Sequence, residues 1–210
     1  MEADPIVKVC VIALVIYSTS LHEMGHAFVA SWLGDPTPGR YGRLTLNPIP
    51  HLSPPLTAIV FPTVFYLIGG GLFCLAMTPV NPSRMRYPLR DYALTSLAGP
   101  VTNFLFAGIL LGILWIPGVW QYPPVYIMAV LTRAAWWCLV LGLFNLLPIP
   151  PLDGYGILRV VLPLPLRQQG DALARMGMMS LVIVMMVGSA VFGYIEAPLA
   201  ALYVRLLPSG

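Results

Sequence analysis

Charged side chains are scarce in this sequence. Asp, Glu, Lys and Arg together make up 9% of its 210 residues, where a soluble domain carries about 25%, so a chain that must present a polar surface to water on all sides is excluded. Its 11 Lys and Arg stand against 8 Asp and Glu and are scattered at the ends of apolar runs, which leaves no cationic stripe for nucleic acid. The three cysteines, Cys10, Cys74 and Cys138, are far apart and each lies inside an apolar run. That pattern supports neither a disulfide framework nor a paired-cysteine metal site. Internal repeats are lacking, as are the basic n-region and cleavage motif of a signal peptide in MEADPIVKVC, so the first apolar run is expected to be retained as a helix.

What the sequence has is hydrocarbon, with 58% of its residues hydrophobic. Apolar runs near the roughly 20 residues that cross a bilayer fall at 9–33, 56–77, 92–116, 125–147 and 172–195, followed by a shorter one at 197–207. Pro- and Gly-rich connections separate them, and none is long enough for an added soluble domain. This predicts an all-α, multi-pass integral membrane protein built as a single domain over 1–210. The run 56–77 carries Pro62 and Gly69 to Gly71, which weaken a continuous helix. If it dips in and returns, Arg40, Arg43, Arg84, Arg86, Arg90, Arg159, Arg167 and Arg175 share one side, leaving Lys8 and Arg205 on the other. That division is sharper than five full spans would give, and under the positive-inside rule it puts the N-terminus outside the cytoplasm.

Against this background the stretch HEMGH, residues 22–26, stands out. Residues four apart share a helix face, so His22 and His26 can aim their imidazoles at one ion, while Glu23 stands beside a water acidified by it. Zinc with two nitrogens and a neighbouring carboxylate is the pattern of metal-assisted hydrolysis. The plainer reading is a buried polar cluster that only joins helices, but ionisable groups inside a span are costly and usually functional. A catalytic zinc takes a third protein ligand. The candidates are His51, Glu196, Asp35, Asp91 and Asp153, and Asp153 has the most unusual setting, NLLPIPPLDG (145–154), where Pro148, Pro150 and Pro151 preclude a regular helix and predict an extended stretch. A solvated or capping aspartate is the competing reading of an Asp-Gly pair.

These motifs together resemble the site-2 protease family of intramembrane zinc metalloproteases. HEMGH resembles the family's HExxH, NLLPIPPLDG its NxxPxxxxDG, and AGPVTN (98–103) its GPxxN element; GDPTPGRYGRLTLNPIPHLSP (34–54) is similar to the segment that follows the HExxH helix in the compact bacterial and archaeal branch. The resemblance implies that His22, His26 and Asp153 hold one zinc ion per chain, that Glu23 is the catalytic acid and base, and that the core is three helices within about 9–160, the first running inward. It further implies a prokaryotic cell membrane as location and a membrane protein with a transmembrane helix as substrate. Related chains often carry an acidic residue near Ser53, which this sequence lacks, and the PDZ and CBS modules of other branches are not expected within 1–210.

The sequence is therefore expected to encode an intramembrane zinc endopeptidase cutting within or beside a transmembrane segment. Asn145 is assigned a catalytic role in orienting substrate, and Asn103 either contacts substrate or links helices. The alternation of Leu44 and Leu46 in RYGRLTLNP (40–48) predicts a short membrane-associated strand or hairpin, whose edge would pair with an unwound substrate or simply pack. The rival classes are a membrane metal-binding protein or transporter that passes an ion through His22, Glu23 and His26, and an inactive scaffold of the same fold. Transport needs ligands along a path through several helices, whereas here they gather at one depth.

Overall fold

The computed structural model describes residues 4–53, 55–67, 77–116, 125–176, 194 and 197–207. The helices are α1 (Pro5–Trp32), α2 (Thr37–Arg40), α3 (Phe61–Leu67), α4 (Pro88–Leu114), α5 (Val125–Asn145), α6 (Asp153–Leu158), α7 (Leu164–Ala174) and α8 (Ala197–Leu206). Three of them, α1, α4 and α5, are long and apolar enough to cross a membrane, and with this composition the chain is an integral membrane protein. The expected span 172–195 lies largely outside the described residues, as do 68–76 and most of the Met-rich stretch 176–186.

α1 begins where Asp4 Oδ1 accepts from the Ile6 amide at 2.8 Å, with Pro5 in the first turn, and ends before Gly34, whose φ of 111° suits glycine. α4 packs against α1, α5 and α6. Its outward residues Leu94, Leu97, Val101, Leu105 and Ile109 are large and apolar, while the buried ones near its start are small or polar: Thr95, Ser96, Gly99 and Asn103. That pattern suits a helix whose solvent on one side is lipid. Farther along, Leu110, Leu111 and Leu114 meet Ala134, Ala135 and Cys138 of α5 and Tyr203 of α8 in an apolar core.

α1 and α4 are antiparallel. The Arg86 amide donates to the Leu33 carbonyl at 3.3 Å and the Asn81 amide to Asp35 Oδ2 at 2.6 Å, so the chain leaves α1 and enters α4 at one end of the bundle. The segment carrying 56–77 therefore departs from and returns to that end.

No strand occurs among the described residues, and the predicted hairpin is a correction. Residues 44–46 and 48 are bends, because side chains claim the backbone groups a ladder would need: Thr45 Oγ1 accepts from the Asn47 amide at 3.1 Å, Asn47 Oδ1 from the Ile49 amide at 3.1 Å, and the Thr45 carbonyl lies 2.9 Å from His51 Nε2. The stretch before Asp153 is likewise not extended. It is a series of turns, with the Leu147 amide bonded to the Phe144 carbonyl at 3.1 Å and the Leu152 amide to the Ile149 carbonyl at 2.8 Å, and α6 starts at Asp153 itself.

Candidate metal centre

Three side chains converge where α1, α4 and α6 meet. His22 Nε2 lies 3.0 Å from His26 Nε2 and 3.1 Å from Asp153 Oδ2, and His26 Nε2 lies 3.3 Å from Asp153 Oδ1. Ligand atoms of the three all fall within 4.8 Å of one another. Two atoms bound at 2.0–2.1 Å to one tetrahedral ion sit about 3.3 Å apart, so this donor set and its spacing fit zinc. Two imidazole nitrogens turned toward each other inside a membrane also need a cation or proton between them, which is the chemical sense of the arrangement.

Helix register builds the first two donors. Ser18 faces Asn103, His22 faces Gly99, and His26 faces Thr95, four residues against four along antiparallel α1 and α4. A Cβ on Gly99 would stand 2.5 Å from His26 Nε2 and 2.6 Å from His22 Cε1, so only glycine leaves room for both rings. Gly25 on α1 makes room for α4 itself, since a Cβ there would meet Thr102 Cγ2 at 2.8 Å and the Ala98 carbonyl at 3.0 Å. The rings stand edge to face, centroids 4.6 Å apart at 88°. His26 Nδ1 donates to the Thr95 carbonyl at 2.7 Å; a carbonyl only accepts, so that proton is fixed on Nδ1 and Nε2 is left with its lone pair.

Asp153 arrives differently. It opens the six-residue α6, and the following Gly154 is needed because a Cβ there would lie 2.1 Å from the Leu146 carbonyl oxygen. Gly156 rests on Ser96, where a Cβ would meet Oγ at 2.1 Å. The Tyr155 hydroxyl shares its one proton between the Arg167 carbonyl at 2.8 Å and Asp171 Oδ1 at 3.0 Å, and Arg159 pairs with Asp171 Oδ2 at 2.7 Å. Together these tie α6 to α7. Burial and the Asp171 carboxylate push the Tyr155 phenol up from its ordinary value, so the hydroxyl stays protonated and keeps donating.

Glu23 is buried at 4% exposure and its Oε2 has no hydrogen-bond partner, while its backbone carbonyl accepts from the Thr78 hydroxyl at 3.1 Å. A bare carboxylate oxygen beside the two imidazoles is a group waiting for a proton donor.

The other sequence candidates are engaged elsewhere. His51 is fully buried against the Thr45 carbonyl; Asp35 binds Thr37 and Asn81; Asp91 accepts from the Tyr87 amide at 2.9 Å and pairs with Arg90. Glu196 lies outside the described residues. Asn145 donates to the Leu141 carbonyl at 3.0 Å, one turn back on α5. Asn103 is fully buried between Ser18 and His22. Leu44 and Leu46 are exposed, and Leu46 lines an apolar cavity of ≈ 640 Å³ with Met24, Phe28, Leu97 and Val101. Nothing in the sequence singles out Thr95, Tyr155 and Asp171, and Gly99 and Gly154 show there only as members of AGPVTN and NLLPIPPLDG, without their steric role. The period of four in Thr95, Gly99 and Asn103, matching Ser18, His22 and His26, is the signal that would have found Thr95 and the role of Gly99.

Comparison with known proteins bears on the same residues. The sequence profile of Peptidase family M50 matches residues 122–188. "Putative zinc metalloprotease YwhC" of Bacillus subtilis is 38% identical over 166 residues, covering 73% of this chain and 68% of its own length. The Rip2 proteins of Mycobacterium tuberculosis and Mycolicibacterium smegmatis, described in the same terms, are 36% and 34% identical, and the aligned region spans 57% of their length. No solved structure matches the chain.

Proposed function

Because the chain belongs to peptidase family M50, the site-2 protease family, we propose that it is a zinc metalloendopeptidase that hydrolyses a peptide bond within or next to a transmembrane segment of another membrane protein. The observation that carries this reading is the convergence of His22, His26 and Asp153 beside the unpartnered carboxylate oxygen of Glu23, all brought together among apolar helices. The three side chains would hold one zinc ion, which when bound supplies a Lewis acid for the scissile carbonyl and acidifies water.

The chain's own residues do the rest. Glu23 accepts the proton of the attacking water and returns it to the leaving amine. Its burial keeps bulk water from competing for that proton. The Thr95 carbonyl holds His26 with its lone pair inward, and α6 presents the Asp153 carboxylate from the opposite wall. Asn145 gives one amide N–H to the Leu141 carbonyl, which leaves its second N–H and its oxygen for a contact with substrate. The substrate helix must unwind before its carbonyl is accessible, since its own hydrogen bonds protect it.

The test is cleavage of a transmembrane substrate by the reconstituted protein, with chelator and with zinc restored. Glu23→Gln should keep one zinc per chain while cleavage falls by about 10²–10⁴-fold, the usual contribution of a general base. Cleavage that survives chelation, or Glu23→Gln cutting at the normal rate, would end the proposal.

A further inference from the structure

The two imidazoles are held by unlike groups, and the difference concerns His22. His26 Nδ1 meets a backbone carbonyl, which admits one tautomer. His22 Nδ1 meets Asn103 Nδ2 at 3.2 Å, and Asn103 Oδ1 at the other end of the amide accepts from the Ser18 hydroxyl at 3.0 Å; oxygen and nitrogen of such an amide are interchangeable by a half-turn. Ser18 is 0% and Asn103 1% exposed, so neither end has water as an alternative partner.

An amide offers a donor at one end and an acceptor at the other, and turning it over preserves both contacts. With Asn103 Nδ2 toward His22, Nδ1 accepts, and the ring proton must sit on Nε2, facing Asp153 Oδ2 at 3.1 Å. With Asn103 Oδ1 toward His22, Nδ1–H donates and Nε2 presents its lone pair to the point it shares with His26 Nε2 and Asp153. Ser18 satisfies either orientation, because a hydroxyl donates to the amide oxygen in the first and accepts from the amide nitrogen in the second.

We propose that Asn103 is a positioning residue for the metal centre: with Oδ1 accepting from His22 Nδ1–H and Nδ2 donating to Ser18, it selects the His22 tautomer that ligates an ion and fixes the ring's orientation. This rests on the metalloprotease reading for the identity of the ion, and it assigns the GPxxN asparagine a role toward histidine in place of substrate. Ligating histidines commonly need such a partner on their second nitrogen, and its loss costs about 10- to 100-fold in metal affinity.

The experiment measures zinc affinity of the purified full-length chain by competition with a chromogenic chelator, and the visible absorption of the cobalt-loaded protein. Asn103→Leu should weaken zinc binding by about 10- to 100-fold and alter the cobalt spectrum. Asn103→Asp keeps the acceptor and gives up the donor, so it should bind zinc at close to the wild-type level. Ser18→Ala, a smaller perturbation that leaves α1 and α4 packed, should produce an intermediate loss. Asn103→Asp as impaired as Asn103→Leu, or Asn103→Leu and Ser18→Ala both binding zinc normally, would overturn the proposal. Because the readout is affinity, a wild type that holds zinc without cutting any substrate would end the protease reading and leave this one standing.

Discussion

The two halves of the metal centre are built by opposite means. His22, Glu23 and His26 sit on one turn of a 28-residue helix, and their mutual geometry follows from helix periodicity. What surrounds them is a long seam with α4, where glycines at 25 and 99 let two helices approach closely. Asp153 stands on a six-residue helix behind a proline-rich series of turns. It is held by contacts distant in sequence: Gly156 on Ser96, Tyr155 on Arg167 and Asp171, Arg159 on Asp171. One half is rigid by construction, and the other is only as rigid as the residues that fasten it. A small overpacking should therefore ruin the first abruptly, whereas the second should loosen by degrees.

The largest effect is expected at Gly99. Gly99→Ala puts a methyl within 2.5 Å of His26 and 2.6 Å of His22, and neither ring can retreat without losing Thr95 or Asn103. A displacement near 1 Å at reacting groups costs about 100-fold in rate. Cleavage should fall at least that far with helix content unchanged by circular dichroism, and near-normal turnover would show that the helical half is softer than argued. A middle effect belongs to Tyr155→Phe, which removes the hydroxyl proton shared by Arg167 and Asp171 at the α6–α7 junction and leaves the ring. Zinc affinity should drop by about 10-fold, at the low end for lost supporting partners; a drop matching Asp153→Ala would mean that the second half has no graded response. The smallest effect on catalysis is expected for Asp35→Asn. One oxygen that accepts from a backbone amide becomes a donor, at a cost of about 1.5–3 kcal/mol for a charge-assisted bond. The thermal unfolding midpoint should fall while cleavage by the folded protein stays close to wild type, and a large loss of rate at unchanged stability would tie this clamp to the site.

The same contrast governs what could be read from the sequence. HEMGH is a local signal: the spacing of two histidines is itself the geometry. The prolines before Asp153 correctly disrupt a regular helix there, yet they resolve into turns where an extended stretch was expected, since Ile149 and Phe144 offer carbonyls to amides nearby. Fastening of α6 by Asp171 spans sixteen residues, and no periodicity announces it. Thr95 and the packing role of Gly99 were hidden because a membrane helix is apolar outside and small inside, so little amphipathic contrast marks the functional face. The strand at 40–48 failed for a related reason: alternating Leu44 and Leu46 describe side chains, whereas the backbone was already committed to Thr45, Asn47 and His51.

The clamp at the end of α1 also bears on how this chain can change. Asp35 grips Thr37 on one side and Asn81 on the other, and Leu33 is bonded to Arg86. The stretch between those points thus begins and ends at one anchored place. Closing a loop of twice the length would cost only about 0.6 kcal/mol more, and the register of α1 on α4 is set without it. Residues beyond the clamp can accordingly vary in number without re-cutting the frame, like a cassette plugged into it, whereas the few that touch it, Leu46 beside α1 and α4, Tyr66 against Trp137 and Thr78 on the Glu23 carbonyl, are the pins that must be kept.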